Sequence, residues 1–190
     1  MKLKKWLLLG GVLVFAVVFV VRFVQVNTKY PAPSYRFVQP GEVETPKSGL
    51  EYSVSGAYFA SSEEITALYD AIDPDQTMYT RYIPGEQEEL LMVELTIHNP
   101  TEEEQYFGVP DSLESDAWKN GVDPLMYDYL NPEASEPLDS GETITVKMPF
   151  TMSYRQFTPS RWKTVRDRQY DLLLSLYPEK VVMELPLNRS

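Results

Sequence analysis

Hydrophobic residues are arranged in two ways along this chain. Trp6 to Val21 is 16 residues without a charge, and after Arg22 the apolar character resumes through Val26. From Glu51 onward the pattern changes to short stretches in which apolar and polar residues alternate. A helix rises about 1.5 Å per residue and a hydrocarbon core is about 30 Å thick, so roughly 20 residues span it. The first run reaches that length once the long Arg22 side chain lies along the helix with its charge at the headgroups. Period-two alternation, in contrast, marks strands that bury one face.

Four segments carry that alternation. Tyr52, Val54 and Tyr58 fall on one side of the first, against Ser53, Ser55 and Ala57. In the second, Leu91, Val93, Leu95 and Ile97 point inward, with Met92, Glu94, Thr96 and His98 outward. Asn99-Pro100-Thr101 then turns the chain, and Gln105–Val109 is expected to return as a strand. In the third, Ile144, Val146, Met148 and Phe150 alternate. The fourth is a hairpin, with Tyr170, Leu172, Leu174 and Leu176 leading into a Tyr177–Lys180 turn and Val181, Met183, Leu185 and Leu187 returning. One helix interrupts the strands: Ser61-Ser62-Glu63-Glu64 supplies a cap and a first turn, Ile65, Leu68, Tyr69 and Ile72 an apolar stripe, and Asp73-Pro74 a stop. Residues 76–87 read as irregular. Residues 111–140 are acidic and turn-rich, with a helical turn expected around Leu125–Leu130. The fold class expected is mainly β, an antiparallel β-sandwich preceded by one N-terminal transmembrane helix.

The divisions follow. Residues 1–5 form a cytoplasmic tail and 6–26 a signal anchor. Residues 27–49, holding Pro31, Pro33, Pro40 and Pro46, form an extended stalk with a short strand at Tyr35–Val38, and 50–190 form the sandwich. Lys2, Lys4 and Lys5 place the N-terminus in the cytoplasm by the positive-inside rule, and the sandwich outside the cell membrane. A cleaved signal peptide is the competing reading. It needs a small-x-small site after its apolar region, whereas Arg22-Phe-Val-Gln-Val-Asn27 follows here.

Composition sharpens this picture. The chain has no cysteine, so packing alone stabilises the exported part, a usage that fits a Gram-positive exterior. Beyond Lys29, 12 basic residues face all 28 acidic ones, a net charge of −16. Such a field excludes nucleic acid and anionic lipid surfaces as partners and favours cations or basic groups. Asn188-Arg189-Ser190 matches a glycosylation sequon by chance.

Candidate chemistry is sparse. His98 is the sole histidine, and no Gly-x-Ser-x-Gly elbow accompanies it. Ser160-Arg-Trp-Lys163 has the Ser-x-x-Lys spacing of penicillin-recognising enzymes, but the Ser-Asp-Asn and Lys-Thr-Gly motifs that complete those sites are missing. No catalytic constellation is therefore expected. Calcium is the one metal the composition allows, since it is bound by six to eight oxygens. Asp73 and Asp75, and the series Asp111, Glu114, Asp116, Asp123 and Asp128, are its candidate ligands. Arg155, Arg161, Lys163, Arg166 and Arg168 form the one basic cluster outside the anchor. They read either as a partner-binding edge or as internal compensation for the acidic middle of the domain.

The anchor, Val93-Glu-Leu-Thr-Ile-His-Asn-Pro-Thr101 and Ser140-Gly-Glu-Thr-Ile-Thr-Val146 together resemble the telokin-like, immunoglobulin-like extracytoplasmic domains of Firmicutes. Trp162 with Tyr170-Asp-Leu-Leu-Leu-Ser-Leu-Tyr-Pro-Glu-Lys180 is similar to small membrane-tethered bacterial proteins of unknown function. The resemblance implies an immunoglobulin-like sandwich and carries no activity over to any residue. The expected role is a non-enzymatic module that meets another envelope or membrane protein. The alternative is a domain binding envelope glycans or cations, calcium among them.

Overall fold

The computed structural model describes residues 2–187 except 80, 111 and 117, without the side chains of 2–5 and 7–9. The glycosylation sequon and the calcium candidate Asp111 lie outside the described residues. The element order is α1 (Lys2–Lys29), β1 (Ser34–Val38), β2 (Glu51–Phe59), α2 (Ser62–Ile72), β3 (Glu88–His98), β4 (Ser112–Ser115), β5 (Trp118–Gly121), α3 (Pro124–Leu130), β6 (Thr143–Ser153), α4 (Pro159–Trp162), β7 (Asp171–Ser175) and β8 (Glu179–Glu184). Within α1, Gly10–Lys29 is long and apolar enough to cross a membrane, and none of it is buried.

Two sheets form a sandwich, one ordered β1-β8-β7-β4-β5 and the other β2-β3-β6. Leu91, Val93, Leu95 and Ile97 face Val146, Met148 and Phe150 across the three-stranded sheet's inner surface, and the core closes on Leu113, Leu172, Val181 and Met183. Tyr170 is fully buried between the layers, edge-on to Phe59 and Trp118, with its hydroxyl donating to the Val165 carbonyl at 2.7 Å. Burying these side chains is the main favourable term in folding a chain without disulfides.

Five departures from the expected elements have local causes. Pairing runs Val54↔Leu95 and then Gly56↔Glu94, so Ser55 is an extra residue in a β-bulge. The bulge reverses the phase: Ala57 and Phe59 pack on the core, while Tyr58 turns outward beside Met92. Met92 was expected to face solvent, but α2 and α3 cover the first half of the outer surface. Ala60, Ile65, Tyr69, Leu90, Met92 and Met126 form a second, smaller core there.

The returning strand expected at Gln105–Val109 shrinks to one bridge, Gln105↔Leu138. The buried Asn99 directs this turn. Its amide donates to the carbonyls of Glu103, Leu138 and Asp139, and its Oδ1 accepts from the backbone and hydroxyl of Thr101. Gly108 and Pro110 then disfavour a longer ladder.

The stalk is also shorter than 27–49. β1 pairs in parallel with β8, the one parallel ladder among the described strands, and Val38 is buried. Arg36 makes a two-pronged ion pair with Glu44 and also bonds Glu179, which fastens 34–44 to the domain. In the acidic 111–140 stretch, β4 and β5 form a hairpin that the polar composition concealed.

Candidate functional site

A polar concavity lies on the outer surface of the three-stranded sheet, where α2, the following loop, α3 and β6 converge. Its construction starts at Ser61. The Ser61 hydroxyl accepts from the Glu64 amide while the Glu64 carboxylate accepts from the Ser61 amide, a closed capping box that fixes where α2 begins. Ile65 and Tyr69 then fall on the buried face, and the Tyr69 hydroxyl donates to Glu88 Oε1 at 2.5 Å.

Asp73 organises the loop after α2. Its carboxylate accepts from the amides of Thr77, Met78 and Tyr79 at 2.9–3.0 Å and from the Thr77 hydroxyl at 3.3 Å. Burial opposes ionisation of Asp73, but the amide bonds prevail and hold its pKa below the usual carboxylate value. This tight turn delivers Tyr79 edge-on to Tyr69, with ring centroids 4.9 Å apart. The Tyr79 hydroxyl donates at 2.7 Å to Asp123 Oδ1, which also caps the N-terminus of α3 by accepting from the Met126 amide. Tyr82, Thr151, Ser153 and Gln156 complete a pocket of about 260 Å³.

Glu88 is the pivotal residue. It is 4% exposed and lines the pocket, and its Oε2 has no hydrogen-bond partner among the described residues. Burial chiefly, and the nearby Asp123 charge further, raise its proton affinity; the Tyr69 bond and Arg81 offset this only in part. Burial and the adjacent carboxylates push the hydroxyls of Tyr69 and Tyr79 well above the ordinary tyrosine range, so both remain donors. The guanidinium of Arg81 lies 5.0 Å from the Tyr69 ring and is engaged by Asp70 and by the carbonyls of Tyr69 and Asp73. The site thus presents carboxylate acceptors and aromatic faces. A second concavity, between α2 and α3, is lined by Tyr58, Leu68, Met92 and Leu130 and is mostly apolar; among the described residues it contains no orphaned polar atom.

The residues singled out in the sequence are dispersed. Asp73 is committed to its loop, Asp75 is exposed, Glu114 pairs with Lys180, Asp116 pairs with Arg168, and Asp128 is exposed. No three His, Asp or Glu side chains converge as metal ligands among the described residues. Among the described candidates, Asp123 is the one that reaches the pocket. Of the basic cluster, Arg166 binds Glu89 through two bonds at 2.7 and 3.0 Å, Arg168 binds Asp116 and Ser115, and Arg155 lies over the rings of Tyr82 and Tyr154. Arg161 and Lys163 are exposed on and just after α4. Ser160 meets the Thr158 hydroxyl at 3.2 Å, and His98 Nδ1 meets Glu142 and Thr143 at the far end of β3.

Residues 42–181 match a domain of unknown function, DUF5028. The chain belongs to the DUF5028 family. That segment takes in the whole pocket and all strands but β1 and the end of β8. No curated protein matches the chain. Among solved structures, this DUF5028 chain is similar to an uncharacterised β-sandwich protein from Clostridium difficile 630, with a TM-score of 0.47 and 14% identity over 80% of this chain and 95% of that one. It is also similar to a functionally unknown protein from Listeria monocytogenes EGD-e, with a TM-score of 0.45 and 12% identity over 78% and 83% of the two chains.

Glu88, Tyr79 and Tyr82 were not singled out in the sequence. One signal was available. Glu88-Glu89 opens the long strand that continues through Leu90–Ile97, so with period two the pair must place one carboxylate on each face of a sheet that is covered on both sides there.

Proposed function

We propose that the chain is a single-pass, membrane-tethered extracytoplasmic module that works by binding rather than catalysis, with the Glu88–Asp123 pocket as its binding site. One observation carries the reading: Glu88, which lines a tyrosine-walled pocket, keeps a buried carboxylate oxygen with no partner among the described residues. Buried polar atoms in native proteins are almost always paired, and an exception costs about 1–3 kcal/mol. A ligand donor is the natural partner for such an oxygen. The tether rests on α1, whose apolar Gly10–Lys29 segment is unburied, and on Lys2, Lys4 and Lys5 before it.

The chain has no cysteine, so a single introduced one reports cleanly on topology. Lys47→Cys, at an exposed position, is expected to react with a membrane-impermeant maleimide in intact cells while the protein sediments with membranes. Labelling only after lysis refutes the orientation, and recovery in the soluble fraction refutes the tether.

A further inference from the structure

We infer that the pocket takes a protonated primary amine, its ammonium seated between Glu88 and Asp123 and against the tyrosine rings. This rests on the pocket being a binding site and adds the class of ligand.

Three observations point to this ligand. The first is what the pocket lacks. Glu88 Oε2 needs a donor, and among the described residues every hydrogen bond to the Asp123 carboxylate falls on Oδ1, which leaves Oδ2 as a second acceptor. An ammonium brings three donors and no acceptor, which suits two carboxylates better than a hydroxyl does. The second is the balance of charge. Glu88, Asp123 and Asp73 all bear electrostatically on Tyr79, while Arg81, whose charge acts on Glu88, is paired with Asp70 and does not line the pocket, its Nε being the other buried polar atom without a partner among the described residues. The third is the walls. Tyrosine faces attract cations, and two of these rings already carry a guanidinium on one side, Arg81 over Tyr69 and Arg155 over Tyr82 at 5.7 Å.

Size narrows the class. About 260 Å³ lies below the roughly 300–1,000 Å³ of pockets that enclose drug-sized ligands. The space suits the end of an aminoalkyl chain. Two sources share that chemistry, a free alkylamine and a lysine side chain.

The test is calorimetric titration of the full chain in detergent with n-butylamine, Nα-acetyl-lysine amide, n-butanol and N-acetylglucosamine. Glu88→Gln and Asp123→Asn provide the controls, and asparagine keeps the cap on α3. Saturable binding of at least one amine, absent for butanol and weakened at least tenfold in either variant, is the expected result. If the lysine derivative alone binds, the source is a side chain; if butylamine binds as well, a bare amine suffices. Binding of N-acetylglucosamine or butanol in place of the amines, lost in Glu88→Gln, overturns the amine assignment and leaves the pocket as a binding site. Absence of binding by all four probes, or amine binding unchanged in both folded variants, overturns the amine proposal. In the latter case the pocket is not where the amine sits. Circular dichroism of each variant establishes that it is folded, and should one variant fail to fold, the other decides.

Discussion

Glu88 and Glu89 are neighbours on β3 and are equally buried, each 4% exposed, yet they lie in two differently finished regions. Glu89 faces the inner surface, where Arg166 reaches from the loop after α4 and saturates it with a bidentate pair. Glu88 faces the outer surface under α2, where one tyrosine hydroxyl serves one oxygen and the other oxygen is left alone. The fold therefore has the means to neutralise a carboxylate at this depth and uses them on one side of the strand only. Glu89 belongs to the joinery between the two sheets, and Glu88 to the pocket proposed as the binding site.

Breaking the finished side should cost most. Arg166→Ala strands Glu89 in the interior, and loss of one partner from a buried pair typically costs 3–5 kcal/mol. Because the Arg166 side chain is half exposed, we expect about 2–3 kcal/mol, read as a lowered urea midpoint at unchanged slope.

The open side should respond with the opposite sign. Glu88→Gln keeps an acceptor for Tyr69 and removes a desolvated charge, so stability near neutral pH should hold or rise by up to about 1 kcal/mol. The same change should alter the pH profile. The folded-state pKa of Glu88 is raised above 4.5, so the native state holds the proton more tightly than the unfolded chain. The contribution of this group to stability is full below the ordinary value and is lost as pH rises through the folded one. Melting temperatures of wild type and Glu88→Gln should diverge across that rise and agree below it; parallel curves would contradict an open Glu88. Least affected should be Arg161→Ala and Lys163→Ala, exposed members of the basic cluster, each within about 0.5 kcal/mol of wild type by the same denaturation.

How much of this was legible follows from where each signal resides. β3, β6 and the β7–β8 hairpin announce themselves because alternation is a local property, and α2 because its cap and stripe lie within 12 residues. The outward turn of Tyr58 depends on one extra residue, Ser55, which leaves no mark in composition. The burial of Met92 depends on helices supplied from both sides of β3 in the chain. The β4–β5 hairpin lies in a stretch whose acids dominate its few apolar residues, Leu113 and Trp118. The pocket is the least legible part, because Tyr69, Tyr79, Glu88, Asp123 and Thr151 come from four elements and a loop and share no motif. The basic cluster drew attention as a run in sequence, whereas in space it is divided among an ion pair with Glu89, one with Asp116, two tyrosine rings and open solvent.

The docking of β1 beside β8 has a consequence for scale. Four residues, 30–33, separate the end of α1 from the first residue of the sheet, and two of them are prolines. At about 3.5 Å per residue the leash is about 14 Å long. On the proposed tether the sandwich cannot scan the envelope; it samples a thin shell next to the bilayer. Within that shell a partner held in the same membrane meets the pocket at a local concentration above its bulk value. A site with modest intrinsic affinity can be occupied there and idle everywhere else.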